Sequence, residues 1–287
     1  MAISVEMIKD LREKTGAGMM DCKKALVEAN GDMTKATEIL RQKGIASADK
    51  KMDRIAAEGI VTSFVNDSCG ALVELNCETD FVAKNADFKE LASNLAKFVA
   101  ESNPSDVDAL LNSTCPVSGK AISDVIKEKI AKIGEKITFR RFVRYEGNTS
   151  TYIHNGKIGV LLNTDTKDEE LMNDVCLHIA SMAPEFISSA DIPSSVIEHE
   201  KEVEMGKEDL LKKPEAIRAK IVEGRIHKLL ASRCLLEQSF VKDPNMTVGD
   251  LIKGKMNVKS FTRFQLGEGL EKRSENFADE VMSQIGA

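Results

Sequence analysis

The sequence predicts an α+β fold: a small N-terminal three-helix module, two related α+β subdomains with small antiparallel sheets, a protruding antiparallel coiled coil and a C-terminal helix. Three observations carry that expectation. Apolar residues recur at helical spacing through residues 4–43. A hairpin pattern followed by an amphipathic helix occurs twice, and residues 194–236 then become purely helical.

In the first module, Ser4 is placed to cap a helix with Val5, Ile8 and Leu11 inward, ended by Thr15-Gly16. A second helix carries Cys22, Ala25, Leu26 and Ala29 and stops at Asn30-Gly31. Asp32 caps a third with Met33, Ala36 and Leu40 inward, and Gly44 is expected to close it. Ala46 to Ala57 reads as a solvated, helical linker.

Ile60–Val65, a turn at Asn66-Asp67 and Ala71–Leu75 form the first hairpin pattern. A helix follows with Phe88, Leu91, Ala92, Leu95 and Val99 on one face. Thr151–His154, Asn155-Gly156 and Ile158–Leu162 form the second, since Asn-Gly between apolar runs favours a tight hairpin turn. Its helix carries Leu171, Val175, Ile179 and Met182. Ile137–Val143 and Phe261–Leu266 can add a strand to each half. Val196, Val203 and Leu210 recur every seven residues, Lys212-Lys213-Pro214 breaks the run, and Ile217, Ile221, Ile226 and Leu230 return it. Leu270 to Ile285, with Phe277, Val281 and Met282, reads as a last helix. The expected division is 1–55 for the helical module and linker, 56–145 for the first subdomain, 146–265 for the second with hairpin 194–236 inserted, and 266–287 for the C-terminal module.

The 287 residues carry a net charge of -6, which argues against a general nucleic-acid binder, because phosphate affinity depends on clustered Lys and Arg. A local basic patch at Phe139-Arg140-Arg141-Phe142-Val143-Arg144 stays open. The chain enters amphipathic helix from its first residues with no signal or transit pattern, and no apolar run suits a bilayer, so a cytoplasmic location without membrane partners is expected. Six scattered cysteines without a C-x-x-C read as reduced thiols.

Motifs for covalent chemistry are weak. Gly249-Asp250-Leu251-Ile252-Lys253-Gly254-Lys255-Met256 approaches a phosphate-binding loop but ends in Met, which cannot hold Mg²⁺ as Ser or Thr does. The histidines His154, His178, His199 and His227 are dispersed, and a metal site needs three or four converging ligands. No catalytic residue, metal or cofactor is expected.

Two segments stand out: Leu11 to Leu26, with Gly16, Gly18, Met19 and Met20 at an inter-helix turn, and Glu74 to Lys84, with Thr79-Asp80-Phe81-Val82 where a strand meets a helix. Exposed Met suits adaptable contact surfaces, and Thr79 or Asp80 can cap the helix. On physical grounds alone these apolar side chains read more readily as plain core.

Together the two segments resemble the signature stretches of the elongation factor Ts family, exchange factors for elongation factor Tu. The resemblance spans essentially the whole chain, continuing at Ala131-Lys132-Ile133-Gly134-Glu135, Ala183-Pro184-Glu185-Phe186-Ile187, Val222-Glu223-Gly224-Arg225 and Gly267-Glu268-Gly269-Leu270-Glu271-Lys272. The polar stretch Ser113–Lys120 looks like an insertion. The resemblance implies that Phe81, with Asp80 beside it and Thr79, Val82 and Ala83 around it, displaces Mg²⁺ in the partner. It also implies contacts to the GTPase domain through Arg12, Met19, Met20 and Lys23. Contacts from the second subdomain are implied at Ile133, Gly134, His154 and Val241. Two further readings stay open: a non-exchanging adaptor, since the first module resembles ubiquitin-associated-type helical domains, and an enzyme using scattered acids and histidines. Oligomeric state is not legible.

Overall fold

The computed structural model describes residues 3–49, 51–211 and 214–271. It is a mixed α+β chain with helices around small antiparallel sheets. The chain divides into two compact units, Met1–Thr62 with Val73–Phe142 and Gln265–Ala287, and Ser63–Leu72 with Val143–Phe264. The predicted helix at Leu270–Ile285 lies almost wholly outside the described residues, as do its apolar positions Phe277, Val281, Met282 and Ile285.

The first unit opens with α1 (Val5–Thr15), α2 (Met19–Glu28) and α3 (Met33–Asp49). Ser4 Oγ accepts the Met7 N–H at 3.1 Å, and Gly16 ends α1 in the left-handed conformation at φ 69°. Asp32 Oδ1 accepts from the N–H groups of Thr34 and Lys35. Ile8, Leu11, Cys22, Ala25, Leu26, Ala29 and Ala36 make one apolar cluster. Val5 instead faces outward at 64% exposure. At helical spacing it falls off the face that Met7, Ile8 and Leu11 turn to the cluster. Gly44 does not end α3 either, since the helix runs on to Asp49. A Cβ on Gly44 would stand 2.7 Å from the Cβ of Ala131, so the missing side chain lets α3 pack closely against a later helix.

Next come β1 (Glu58–Val65) and β2 (Cys69–Cys77), with Asn66 Oδ1 accepting from the N–H groups of Ser68 and Cys69 in the turn. The helices that follow are α4 (Asp80–Lys84), α5 (Ala86–Ser102), α6 (Val107–Asn112) and α7 (Ile122–Ile133). The expected face of α5, Phe88, Leu91, Ala92, Leu95 and Val99, is buried throughout. Strand β3 (Ile137–Glu146) completes a sheet of order β1-β2-β3, and the boundary between units falls within these strands.

All nine residues of β2 are buried, Glu74 among them. Its carboxylate receives Arg140 Nη1 at 2.9 Å, Arg141 Nε at 2.7 Å and the Gly267 N–H at 2.9 Å. Arg141 also reaches the Gln265 carbonyl, and Arg140 the Glu268 carbonyl. The arginines of the Phe139–Arg144 stretch are therefore no open basic patch: two are spent on Glu74, and Arg144 pairs with Glu146. Burial alone would raise the Glu74 pKa. The Gly267 N–H and the two guanidiniums outweigh it and hold the carboxyl below its ordinary range.

The second unit contains β4 (Asn148–His154), β5 (Ile158–Thr164), α8 (Glu169–Met182), α9 (Ser194–Met205), α10 (Glu208–Leu211), α11 (Glu215–Ala231), β6 (Ser239–Phe240), β7 (Asp243–Thr247), α12 (Val248–Ile252) and β8 (Val258–Gln265). Strands β4 and β5 pair antiparallel from Asn148↔Thr164 to His154↔Ile158, and β8 joins them in the order β4-β5-β8. Asn155 and Gly156 both take positive φ, as a two-residue primed turn requires. Leu171, Val175 and Ile179 are buried, but Met182, the last residue of α8, is exposed where the chain turns away at Ala183.

Helices α9 and α11 pack on each other, and Arg233–Glu200 and Arg225–Glu204 pairs show that they run antiparallel. The seven-residue repeat is not kept throughout. Leu210 is fully buried, whereas Val203 and Ile217 are exposed. Ile192, Leu210, Val222, Ile226, Leu230 and Cys234 form the cluster that holds the pair, drawing on residues beyond both helices instead of a regular seam.

His178 is buried in the same unit, with Nε2 at 2.9 Å from Gln238 Oε1 and Nδ1 accepting the Val241 N–H at 3.2 Å. An acceptor Nδ1 makes this imidazole neutral, with its proton on Nε2. Burial, opposed by the Gln238 bond, holds its pKa below the ordinary 6.5. The unfolded chain then takes up the proton first as pH falls. The stability linked to His178 is present above pH 6.5 and is lost on acidification through and below it. Urea denaturation is expected to show a lower midpoint at about pH 5.5 than at about pH 7.5, and His178→Gln should reduce that difference. Glu74→Ala leaves two partly buried guanidiniums without their partner and is expected to cost about 3–5 kcal/mol in the same measurement.

Candidate functional site

The end of β2 delivers the chain to Glu78 and Thr79 and then into α4, which is only five residues long. Thr79 is extended (φ -128°, ψ 156°), and its Oγ1 accepts the Val82 N–H at 3.3 Å as an N-cap. A second carboxylate supports that cap from the far side of the sequence. Glu135 Oε2 accepts from the N–H groups of Glu78 at 3.2 Å and Thr79 at 3.0 Å, and Oε1 accepts the Thr79 hydroxyl at 2.7 Å. The relation is reciprocal. Glu78 Oε1 accepts the Lys136 N–H at 2.6 Å and pairs with Arg54 at 3.2 Å. Two neighbouring segments thus hold each other by charge-assisted bonds at both ends.

Asp80 lies in the first turn of α4, where negative charge suits the helix N-terminus, and pairs with Lys84 at 2.6 Å. Asn85 ends α4 and caps α5 by accepting the Asp87 N–H at 2.8 Å. Between these two caps the Phe81 ring stands 80% exposed, while Val82 and Ala83 are half-buried. The core reading of Phe81 is overturned. Burying a phenyl side chain is worth about 1.5–3 kcal/mol, and its own chain leaves nearly all of that unrealised.

The methionines are exposed as well, Met19 at 38% and Met20 at 63%. Arg12 and Lys23 are exposed on the same three-helix module. Val27, which the sequence reading missed, is exposed too. It lies seven residues after Met20 and off the buried stripe of Cys22, Ala25, Leu26 and Ala29, so its outward face was legible from α2 periodicity.

The four remaining predicted contacts do not belong to one subdomain. Ile133 and Gly134 end α7 in the first unit, immediately before Glu135, with Gly134 left-handed at φ 90° and open around its Cα. His154 and Val241 are in the second. His154 is exposed and stacks on Tyr152 with centroids 6.2 Å apart, and Val241 is 39% exposed. Sequence reading also missed Glu135 and Glu78 as structural partners of Thr79.

Among the described residues no group of three or more His, Cys, Asp or Glu is arranged to hold a metal ion, and no helix is long and apolar enough to cross a membrane. The glycine-lysine stretch at 249–255 has a packing role instead. Thr247 and Asp250 form a capping box at α12, and a Cβ on Gly249 would meet the Leu236 carbonyl at 2.8 Å. Ser113–Lys120 is a turn closed by a bridge between Thr114 and Ala121.

Fold and surface together define an α+β chain that presents apolar side chains outward from fixed helix ends. The family model for Elongation factor TS matches residues 78–268. Over 99% of both chains, the sequence is 48% identical to Elongation factor Ts of Alkalilimnicola ehrlichii and 46% identical to that of Halorhodospira halophila. The chain belongs to the elongation factor Ts family of translation elongation factors.

Its six cysteines are free thiols with unequal reactivity. Burial first, then the Glu135 charge, pushes the Cys77 thiol up to about 12, and burial does the same to Cys176. Cys115 is only half-buried. Desolvation opposes ionisation there, but the Ser118 hydroxyl and the N–H groups of Ser118 and Val117 outweigh it and lower its pKa. Limiting iodoacetamide under native conditions is expected to label Cys115 first, with Cys22, Cys69, Cys77, Cys176 and Cys234 labelled only after unfolding, as peptide mass analysis can read.

Proposed function

We propose that this chain is a cytoplasmic guanine-nucleotide exchange factor for elongation factor Tu, acting by contact and without covalent chemistry. The observation that carries the reading is the outward Phe81 ring on a helix capped at both ends. Phe81 inserts beside the partner's nucleotide pocket with Asp80 next to it, and Thr79, Val82 and Ala83 complete the contact. Mg²⁺ demands near-ideal octahedral geometry, so a small displacement of its surroundings weakens metal and GDP together. The phenyl side chain gains about 1.5–3 kcal/mol on burial in the partner, enough to offset part of the nucleotide's binding energy.

The remaining energy comes from dispersed contacts. Arg12, Met19, Met20 and Lys23 on a ubiquitin-associated-like module of residues 1–55 touch the GTPase domain. Ile133 and Gly134 extend the first subdomain's contact within residues 56–145. His154 and Val241 reach another partner domain from residues 146–265, in which 194–236 is a coiled-coil arm. Residues 266–287 supply the C-terminal module. Since a ligand shifts an equilibrium only through differential affinity, the factor binds nucleotide-free partner more tightly than GDP-bound partner, and GDP or GTP weakens its hold by the same ratio.

Phe81→Ala is expected to slow factor-stimulated GDP release by about tenfold or more, matching an interface hot spot near 2 kcal/mol. Stopped-flow release of a fluorescent GDP analogue measures it. Wild-type release at saturating mutant would remove Phe81 from the mechanism.

A further inference from the structure

We infer that Glu135 is the positioning residue of the Phe81 contact: its carboxylate, reaching across from the end of α7, sets the direction in which α4 presents the ring. The inference deepens the exchange reading and, for its effect on GDP release, rests on it.

A five-residue helix has little capacity to hold its own geometry, because the first turn of any helix fixes several backbone angles for a single hydrogen bond. Phe81 contributes no fixing of its own, since its ring is 80% exposed. Its orientation must therefore come from the half-buried Val82 and Ala83 and from the residues that lead into and out of α4. On the exit side Asn85 is shared with α5. On the entry side both the backbone and the side chain of Thr79 are bonded to Glu135, and the Glu78 N–H is bonded to it as well.

Those three bonds join residues 56 and 57 positions apart, so they set α4 against α7 rather than merely continuing a local turn. The Thr79 hydroxyl donates to Glu135 while its oxygen accepts from Val82. The carboxylate thus fixes the rotamer that makes Thr79 a cap. Loss of Glu135 frees the cap, and Phe81 then samples directions in which it meets no pocket. Glu135 touches neither nucleotide nor metal in this account and acts only through Phe81.

The test has two arms. In the free protein, Phe81 is replaced by 4-fluorophenylalanine, and amide exchange at Thr79 and Val82 is followed alongside the fluorine line. Glu135→Ala is expected to speed exchange at both amides and to shift and narrow the line. Glu135→Gln, whose amide oxygen still accepts from the two N–H groups while its NH2 donates to the Thr79 oxygen in place of the lost acceptor, is expected to stay close to the parent. Thermal melting identifies any loss that is only global unfolding, and Glu135→Gln remains informative if Glu135→Ala does not fold. Unchanged exchange at Thr79 and Val82 in Glu135→Ala, or a changed fluorine line with no loss of cap protection, overturns the inference.

In the second arm, GDP release from elongation factor Tu is measured at saturating factor. Glu135→Ala is expected to lower the maximal rate by about tenfold, with a much smaller change in the concentration giving half-maximal rate. Combined with Phe81→Ala it should add no further loss, because both changes remove one unit. An additional tenfold loss in the double variant, or full activity of Glu135→Ala beside an impaired Phe81→Ala, overturns the role in exchange. Full activity of Phe81→Ala, with the free-protein arm as expected, instead defeats the exchange reading and leaves Glu135 as the anchor of α4.

Discussion

Two carboxylates exchange backbone hydrogen bonds where a buried strand ends: Glu135 receives the N–H groups of Glu78 and Thr79, and Glu78 receives that of Lys136. Each acid accepts from backbone N–H groups of the other segment, so strand β2 and helix α7 finish side by side. The surface depends on this constraint because an exposed aromatic cannot be located by its own packing. A core phenylalanine is oriented by its neighbours, whereas Phe81 has almost none and inherits its direction from the capped helix beneath it. Ile133 and Gly134, directly before Glu135, share the same anchor.

Strand β2 joins stability and presentation. It is buried along its full length and carries Glu74, whose charge is acceptable there only because two guanidiniums and a backbone N–H converge on it. The same two arginines hold the carbonyls of Gln265 and Glu268, so the returning chain is tied to the strand that leads to Phe81. Cys77 beside the turn is kept unreactive by burial and by the Glu135 charge. That thiol lies four residues before the exposed ring.

What could be read from the sequence was what neighbouring residues decide. The caps at Ser4, Asp32 and Thr79, the left-handed Gly16 and the Asn155-Gly156 turn each depend on a few adjacent positions, and the α5 face on one periodicity. Gly44 misled because the usual meaning of glycine, a helix end, gave way to close packing against Ala131, invisible at that distance in sequence. Val203 and Ile217 fit a repeat but not the cluster around Leu210 and Cys234 that holds the helices together. Periodicity could not show Phe81 pointing outward, and physics favoured the core. Only the resemblance carried by Thr79-Asp80-Phe81-Val82 suggested it. Glu135 escaped notice as a partner because a polar residue 56 positions away leaves no pattern.

Exchange by contact requires that the factor distinguish two states of its partner, and a well-placed side chain matters only through that difference. Arg12, Met20, Phe81 and His154 are dispersed along the chain and exposed; under the exchange function proposed above, overall affinity would survive the loss of any one, with discrimination concentrated at Phe81. The most direct measurement is the dissociation constant of the full chain for nucleotide-free and for GDP-bound elongation factor Tu, by calorimetry. The account predicts markedly tighter binding to the nucleotide-free form, and equal affinities for the two forms would contradict it.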